Sequence, residues 1–113
     1  MMEVKIVLRR NRADPVLHAL RDADIARIHV SHVHVLGAGV DPGDSHLSLE
    51  EGTHYTDKVK IEVFCRAADV DAVVEIVREH AATGHRGDGI IAVTPLNGVI
   101  GIRTGAEGLL AVV

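Results

Sequence analysis

The same succession of patterns occurs twice in this chain, and that repetition limits the fold more than any other feature. Val4, Ile6 and Leu8 alternate with Glu3, Lys5 and Val7, and Val59, Ile61, Val63 and Cys65 alternate with Lys58, Lys60, Glu62 and Phe64. A period of two puts one set of side chains on each face of a strand, so both segments are strands with one face against a core. A helical period follows each. Asp14 before Pro15 is a helix start, with Val16, Ala19, Leu20 and Ala23 making one apolar face and an end near Asp24. Asp69 can cap a second helix carrying Val70, Val73, Val74, Val77 and Ala81, with Gly84 as its stop.

Each helix leads into another strand. Residues 25–36 are rich in β-branched types and lack Gly and Pro, which predicts a long strand with Ala26, Ile28, Val30, His32, His34 and Leu36 on one face. Ile90 to Thr94 form a fourth strand that Pro95 ends, and Val99 to Arg103 suit a short C-terminal edge strand. Two βαβ halves in tandem predict an α+β, ferredoxin-like fold, an antiparallel sheet with both helices on one face, as a single domain over 1–113. Two helices cover one side of a four-stranded sheet. The other side then carries Ile and Val among charged residues, an association surface.

Between the halves, residues 37–56 hold four Gly, one Pro and four acidic residues without periodicity. A connection of this length is functional more often than structural. Gly37, Gly39 and Gly43 supply freedom, and Asp41, Asp44, Glu50 and Glu51 supply negative charge suited to a basic patch on a target.

Composition narrows the function. The 113 residues are 47% hydrophobic and 25% charged, with a net charge of −4 and no basic run, which argues against nucleic-acid binding. No apolar stretch approaches the roughly 20 residues of a membrane helix. The N-terminus lacks the features of a signal peptide, so a cytoplasmic location is expected. Cys65 is the one cysteine and sits in an apolar alternation, where an inert buried thiol is expected. Phe64 and Tyr55 are the aromatic residues. So small a chain with so few large rings has a thin core, which favours a homo-oligomer.

Three features can carry chemistry. The segment Thr83-Gly84-His85-Arg86-Gly87-Asp88-Gly89 has three glycines in seven residues, which let backbone approach a ligand and aim amides at an anion. On glycine content alone it reads first as an ordinary αβ turn. It lacks the Gly-Lys-Ser/Thr of a Walker loop, and a strand rather than a helix follows. Ile102-Arg103-Thr104-Gly105 offers an arginine whose planar fork can clamp a phosphate. Of eight histidines, His32 and His34 share a strand face at a spacing a metal can bridge, and His46 and His54 lie in the long loop. This makes a metal-responsive protein the alternative reading. Ser31, Ser45 and Ser48 lack a nucleophile-elbow context, so no enzyme and no catalytic cofactor are expected.

Together, Lys58-Val59-Lys60-Ile61-Glu62, the Thr83–Gly89 segment and Ile102-Arg103-Thr104-Gly105 resemble, at these separations, the P-II (PII) nitrogen-regulatory signalling proteins across nearly the whole chain. The resemblance implies a homotrimer with adenine nucleotides in the clefts between neighbours. It also implies a flexible loop, the T-loop, at about 37–56 that docks on a membrane transporter or metabolic enzyme. By position it assigns Arg86, Gly87, Asp88, Gly89 and Arg103 to the phosphates. Val7, Glu62 and Phe64 lie around adenine and ribose, and Gly37 and Lys58 at the loop base.

The departures are equally specific. Where relatives that bind ATP, magnesium and 2-oxoglutarate carry arginine, glutamine, lysine and arginine, this chain has Ala38, Gly39, Ile90 and Gly101. Charge-assisted hydrogen bonds to a triphosphate contribute about 1.5–3 kcal/mol each, so ADP, AMP or a cyclic nucleotide is expected in preference to Mg-ATP. Loss of the glutamine makes sensing through magnesium-linked 2-oxoglutarate unexpected. Glu51 stands where the family has a modifiable tyrosine, and Tyr55 is too close to the following strand to replace it. The resemblance is to a divergent PII-like member. Such relatives act in nitrogen metabolism, in bicarbonate handling and carboxysomes, or in metal transport, with recruitment to a transporter or a carboxysome.

Overall fold

The computed structural model describes residues 1–50 and 52–113. Strands β1 (Met2–Arg9), β2 (Ile28–Val35), β3 (His46–Ser48), β4 (Thr53–Cys65) and β5 (Gly89–Pro95) alternate with helices α1 (Arg10–Asp22), α2 (Val70–Ala81) and α3 (Leu109–Val112). The main sheet runs β2-β4-β1-β5 with every neighbouring pair antiparallel, and β3 pairs with the start of β4. This is the ferredoxin-like arrangement expected from the tandem βαβ pattern, since β4 lies between β1 and β2, and β1 between β4 and β5.

Register explains the core. Val4, Ile6 and Leu8 lie opposite Val63, Ile61 and Val59, so the apolar sets of the two central strands fall on one face. Ala13, Val16 and Leu20 of α1 and Val73, Val77 and Ala81 of α2 cover that face, with Cys65 beneath them. Burial raises the Cys65 thiol pKa, as the apolar alternation implied.

The opposite face carries Val33 and Val35 of β2, Lys58, Lys60, Glu62 and Phe64 of β4, Lys5 and Val7 of β1, and Ile90 of β5. Ile90 is exposed there, and elsewhere on the surface so are Ile102 and Leu110.

Several boundaries differ from expectation. Helix α1 begins at Arg10, directly after the strand, and takes Pro15 inside it rather than at its first position. Ala13 extends the buried stripe by one turn to 13, 16 and 20, and that packing outweighs the proline. The helix ends at Asp22, and Ala23 caps it. Asp69 makes no side-chain cap on α2, because its carboxylate accepts from Arg66 instead. Helix α2 ends at Ala81, three residues before Gly84.

Strand β2 is shorter than the β-branched run, and β4 is longer than its clean alternation. Thirteen residues at about 3.3 Å each reach about 43 Å, close to the 45 Å long axis of the molecule. The start of β4 therefore projects from the main sheet. Within the long connection, Gly37–Gly39 form a 3-10 turn and His46–Ser48 pair with Thr53–Tyr55 as a small hairpin, an order that the lack of periodicity did not reveal.

Val99 to Arg103 do not form a strand. Ile100 makes one bridge, to Glu107, and the chain turns through Gly105 N–H to Gly101 C=O at 2.8 Å and Gly108 N–H to Val99 C=O at 3.0 Å. Helix α3 follows and buries Val112. Among the described residues no helix is long and apolar enough to cross a membrane.

Candidate functional site

The glycine turn after α2 is organised by Asp88. Its carboxylate accepts from the Thr83 N–H at 2.8 Å, the Gly84 N–H at 3.0 Å and the Thr83 hydroxyl, which closes the segment on itself. The Thr83 hydroxyl in turn accepts from the His85 N–H at 3.2 Å. Donation by the Thr83 hydroxyl, more than any other contact, holds the Asp88 pKa down at about 2.

Two glycines then bring the turn against its neighbours. Gly87 and Gly89 have φ of +97° and +114°, a region open to glycine at little cost. A Cβ on Gly89 would collide with the Val7 carbonyl oxygen.

Arg9, at the end of β1, ties this turn to the long connection. Its guanidinium donates to the Asp88 carboxylate, to the Thr83 hydroxyl at 3.1 Å, to the Arg86 carbonyl at 2.6 Å and to Asp41 Oδ2 at 3.2 Å. The Asp41 N–H donates to the buried Thr56 hydroxyl at 2.7 Å, and its Oδ1 accepts from the Gly43 N–H at 3.0 Å. That amide, ahead of Arg9, lowers the Asp41 pKa. Lys58 completes the group. Only 1% exposed, it donates from Nζ to the Gly87 carbonyl, and burial depresses its pKa, with Asp41 and Asp88 opposing the shift. Two cations therefore face two carboxylates around the turn, and the charges balance.

Most of the residues expected at a nucleotide site fall in two clefts. Val7, Lys58, Gly87 and Gly89 line one cleft of about 410 Å³ together with Val35, Ala38, Gly39 and Ile90. Ala38, Gly39 and Ile90, three of the four departures, thus sit in the same cleft and make it apolar. Gly37, at φ +68°, opens the turn that leads into it. Arg86 is exposed, and Asp88 is half-buried and lines a third cleft, of about 280 Å³, with Val7, Gly89 and Ile90. Phe64 and Arg103 line a separate cleft of about 390 Å³ beside Arg27, His29, Gly101 and Leu110. The Phe64 ring meets His29 edge-on at 5.4 Å. Glu62, on the same strand face as Phe64, pairs with Lys60 at 3.6 Å. Lys58 and Phe64 are six residues apart on β4, about 20 Å at the strand rise.

Two of the histidines expected as metal ligands, His34 and His46, are engaged otherwise. His34 stacks on Tyr55 at 3.9 Å, with Nε2 3.2 Å from Asp57 Oδ1, and His46 lies 3.4 Å from Asp44. Among the described residues no group of three or more His, Cys, Asp or Glu side chains is assembled to hold a metal. Part of the negative charge assigned to a target is also spent within the chain, since Asp41 pairs with Arg9 and Asp44 with Arg10 at 3.5 Å. Glu51, expected at the loop tip, lies outside the described residues. Sequence reasoning missed Arg9 and Thr56, whose partners are distant and leave no periodic mark, and it gave Thr83 no role of its own within the glycine segment.

Comparison with known proteins agrees with the geometry. The family model described as "Nitrogen regulatory protein P-II" matches residues 1–106. A "Nitrogen regulatory protein P-II" of Azospirillum brasilense is 35% identical over 112 residues, covering 96% of both chains. The protein of that name from Synechocystis is 32% identical over 99% of this chain and 100% of its own. "Nitrogen regulatory protein P-II 1" of Methanothermobacter thermautotrophicus is 32% identical over 96% and 94%. On a match that spans nearly the whole sequence and a fold that agrees with it, the chain belongs to the nitrogen regulatory protein P-II family.

Proposed function

We infer that the protein is a homotrimeric signalling module that binds an adenine nucleotide between neighbouring copies and relays occupancy through the T-loop at 37–56. The observation that carries this reading is the division of the expected nucleotide residues between two clefts about 20 Å apart on one strand. Neither cleft alone holds all of those residues. A head-to-tail contact sets the Lys58 cleft of one copy against the Arg103 cleft of the next, and such a contact repeats until it closes into a ring. Exposed Ile90 in the first cleft and exposed Ile102 in the second gain burial by that contact.

The charges favour few phosphates. Arg9 and Lys58 are balanced by Asp41 and Asp88, and apolar Ala38 and Ile90 stand where further cations are absent. ADP, AMP or a cyclic nucleotide therefore binds in preference to Mg-ATP. Ligand binding shifts the loop between shapes, one of which docks on a transporter or metabolic enzyme in nitrogen or inorganic carbon metabolism. The protein acts by binding and shape, without turnover.

Light scattering with calorimetry tests the reading. A mass near three 12.1 kDa chains and ADP binding weakened about tenfold or more by Arg103→Ala support it. A stable monomer, or unchanged affinity in the variant, overturns it.

A further inference from the structure

Asp41 occupies an unusual position for a residue of a polar surface loop. Its carboxylate receives the Arg9 guanidinium, and both lie against the Gly87 backbone. A Cβ on Gly87 would come within 2.9 Å of Arg9 Nη2, Asp41 Cγ and Asp41 Oδ2. The turn expected to meet phosphate is thus already in contact with an anion, supplied by the chain itself from 32 residues beyond Arg9. Two amides hold that anion in place. Its own N–H is anchored on buried Thr56, and the Gly43 N–H caps its other carboxylate oxygen.

A neighbouring contact extends the attachment. Asp44 lies 3.5 Å from Arg10, the next residue of the same β1–α1 junction. Residues 41–44 are therefore fastened to the junction at two points, and the hairpin made by β3 and the start of β4 follows directly.

We propose that Asp41 is a built-in competitor for ligand phosphate, so that a nucleotide gains Arg9 only by displacing Asp41, and this displacement releases the T-loop. This rests on the nucleotide reading above and names its regulation. With Asp41 in place, Arg9 and Lys58 face an equal number of carboxylates, and these two cations together offer an incoming phosphate no net positive charge. With Asp41 withdrawn, one positive charge is uncovered beside Gly87, and the phosphate takes over the Arg9 Nε donor. The loop and the phosphate cannot both hold the same Nε donor, so occupancy and loop attachment exclude each other, a population shift with a named contact at its centre.

The test compares wild type, Asp41→Asn and Asp41→Glu by calorimetry with ADP and with adenosine, and by hydrogen exchange over 40–56. Asp41→Asn keeps the shape and removes the charge, and should bind ADP about tenfold or more tightly than wild type. Adenosine, which has no phosphate, should show no such gain. Without ligand, exchange over 40–56 should be faster in Asp41→Asn than in wild type, and ADP should raise wild-type exchange toward the variant's. Asp41→Glu should lie closer to wild type in both measurements. If wild type binds ADP and Asp41→Asn binds it with the same affinity and the same loop exchange, the competitor is overturned while the nucleotide reading stands. If neither protein binds ADP at millimolar concentration, the nucleotide reading fails and this inference with it.

Discussion

Asp88 has more partners than any other carboxylate in the site, and its chemistry is that of an internal cap. Donors from Thr83, Gly84 and Arg9 converge on it and hold its pKa at about 2, below the ordinary 3.8. A depressed carboxylate stabilises the fold fully above its unfolded-state value and loses that contribution as pH falls through its folded value. The window here runs from about 4 down to about 2. Asp88→Asn should cost about 1–3 kcal/mol at pH 7, read from urea unfolding, and the gap to wild type should narrow as the pH approaches 2. A gap that stays constant across that range would show that Asp88 acts by packing. Its neighbour Gly89 has a different constraint: a Cβ there would overlap the Val7 carbonyl oxygen, which excludes any side chain. The glycine itself was visible in the sequence, but the carbonyl that requires it belongs to a strand more than eighty residues earlier.

At the level of elements, the packing of α1 overrides its own propensities. Pro15 sits in its sixth position and offers no N–H to the Asn11 carbonyl, yet the helix continues because Ala13, Val16 and Leu20 all reach the core. Pro15 is exposed, so Pro15→Ala should restore that hydrogen bond and raise stability by about 1 kcal/mol or more, measured by thermal unfolding. No gain would mean that the proline's restriction of the unfolded chain offsets the missing bond. The Asp14-Pro15 pair reads as a helix start by local rules, and the structure places the start earlier because burial of Ala13 is a tertiary gain. The 37–56 connection shows the same limit. Among the described residues its hairpin has three paired positions, His46 to Tyr55, Leu47 to His54 and Ser48 to Thr53. Three pairs are too few to impose a hydrophobic alternation on a sequence.

For the whole molecule, the division of the expected nucleotide residues makes a prediction that no single-chain site shares. In the proposed ring, a Lys58→Ala chain lacks one half of each site and an Arg103→Ala chain the other. Each variant alone should bind ADP poorly. Co-refolded at equal amounts, they should recover about a quarter of the wild-type sites, because random mixing pairs the two intact halves that often in a head-to-tail ring. Calorimetric stoichiometry reads the outcome, and absence of any recovery would place both residues in one chain's site or outside it.

The two alternations and the helical stripes after them determined, from sequence alone, the tandem βαβ fold, which side chains of the two strands share a face, and that both helices lie on one side of the sheet. Each is a short-range pattern imposed by the strand or helix period. The motif around Gly87 and the separations between motifs also carried the family. The association of Arg9 with Asp41 and Asp88, across 32 and 79 residues, was decided only by the tertiary structure. Those partners meet because β1 threads between β4 and β5, and because the start of the long connection folds back over Lys58. An ion pair leaves no periodic trace in a sequence, and its geometry exists only once the strands that carry it are ordered side by side.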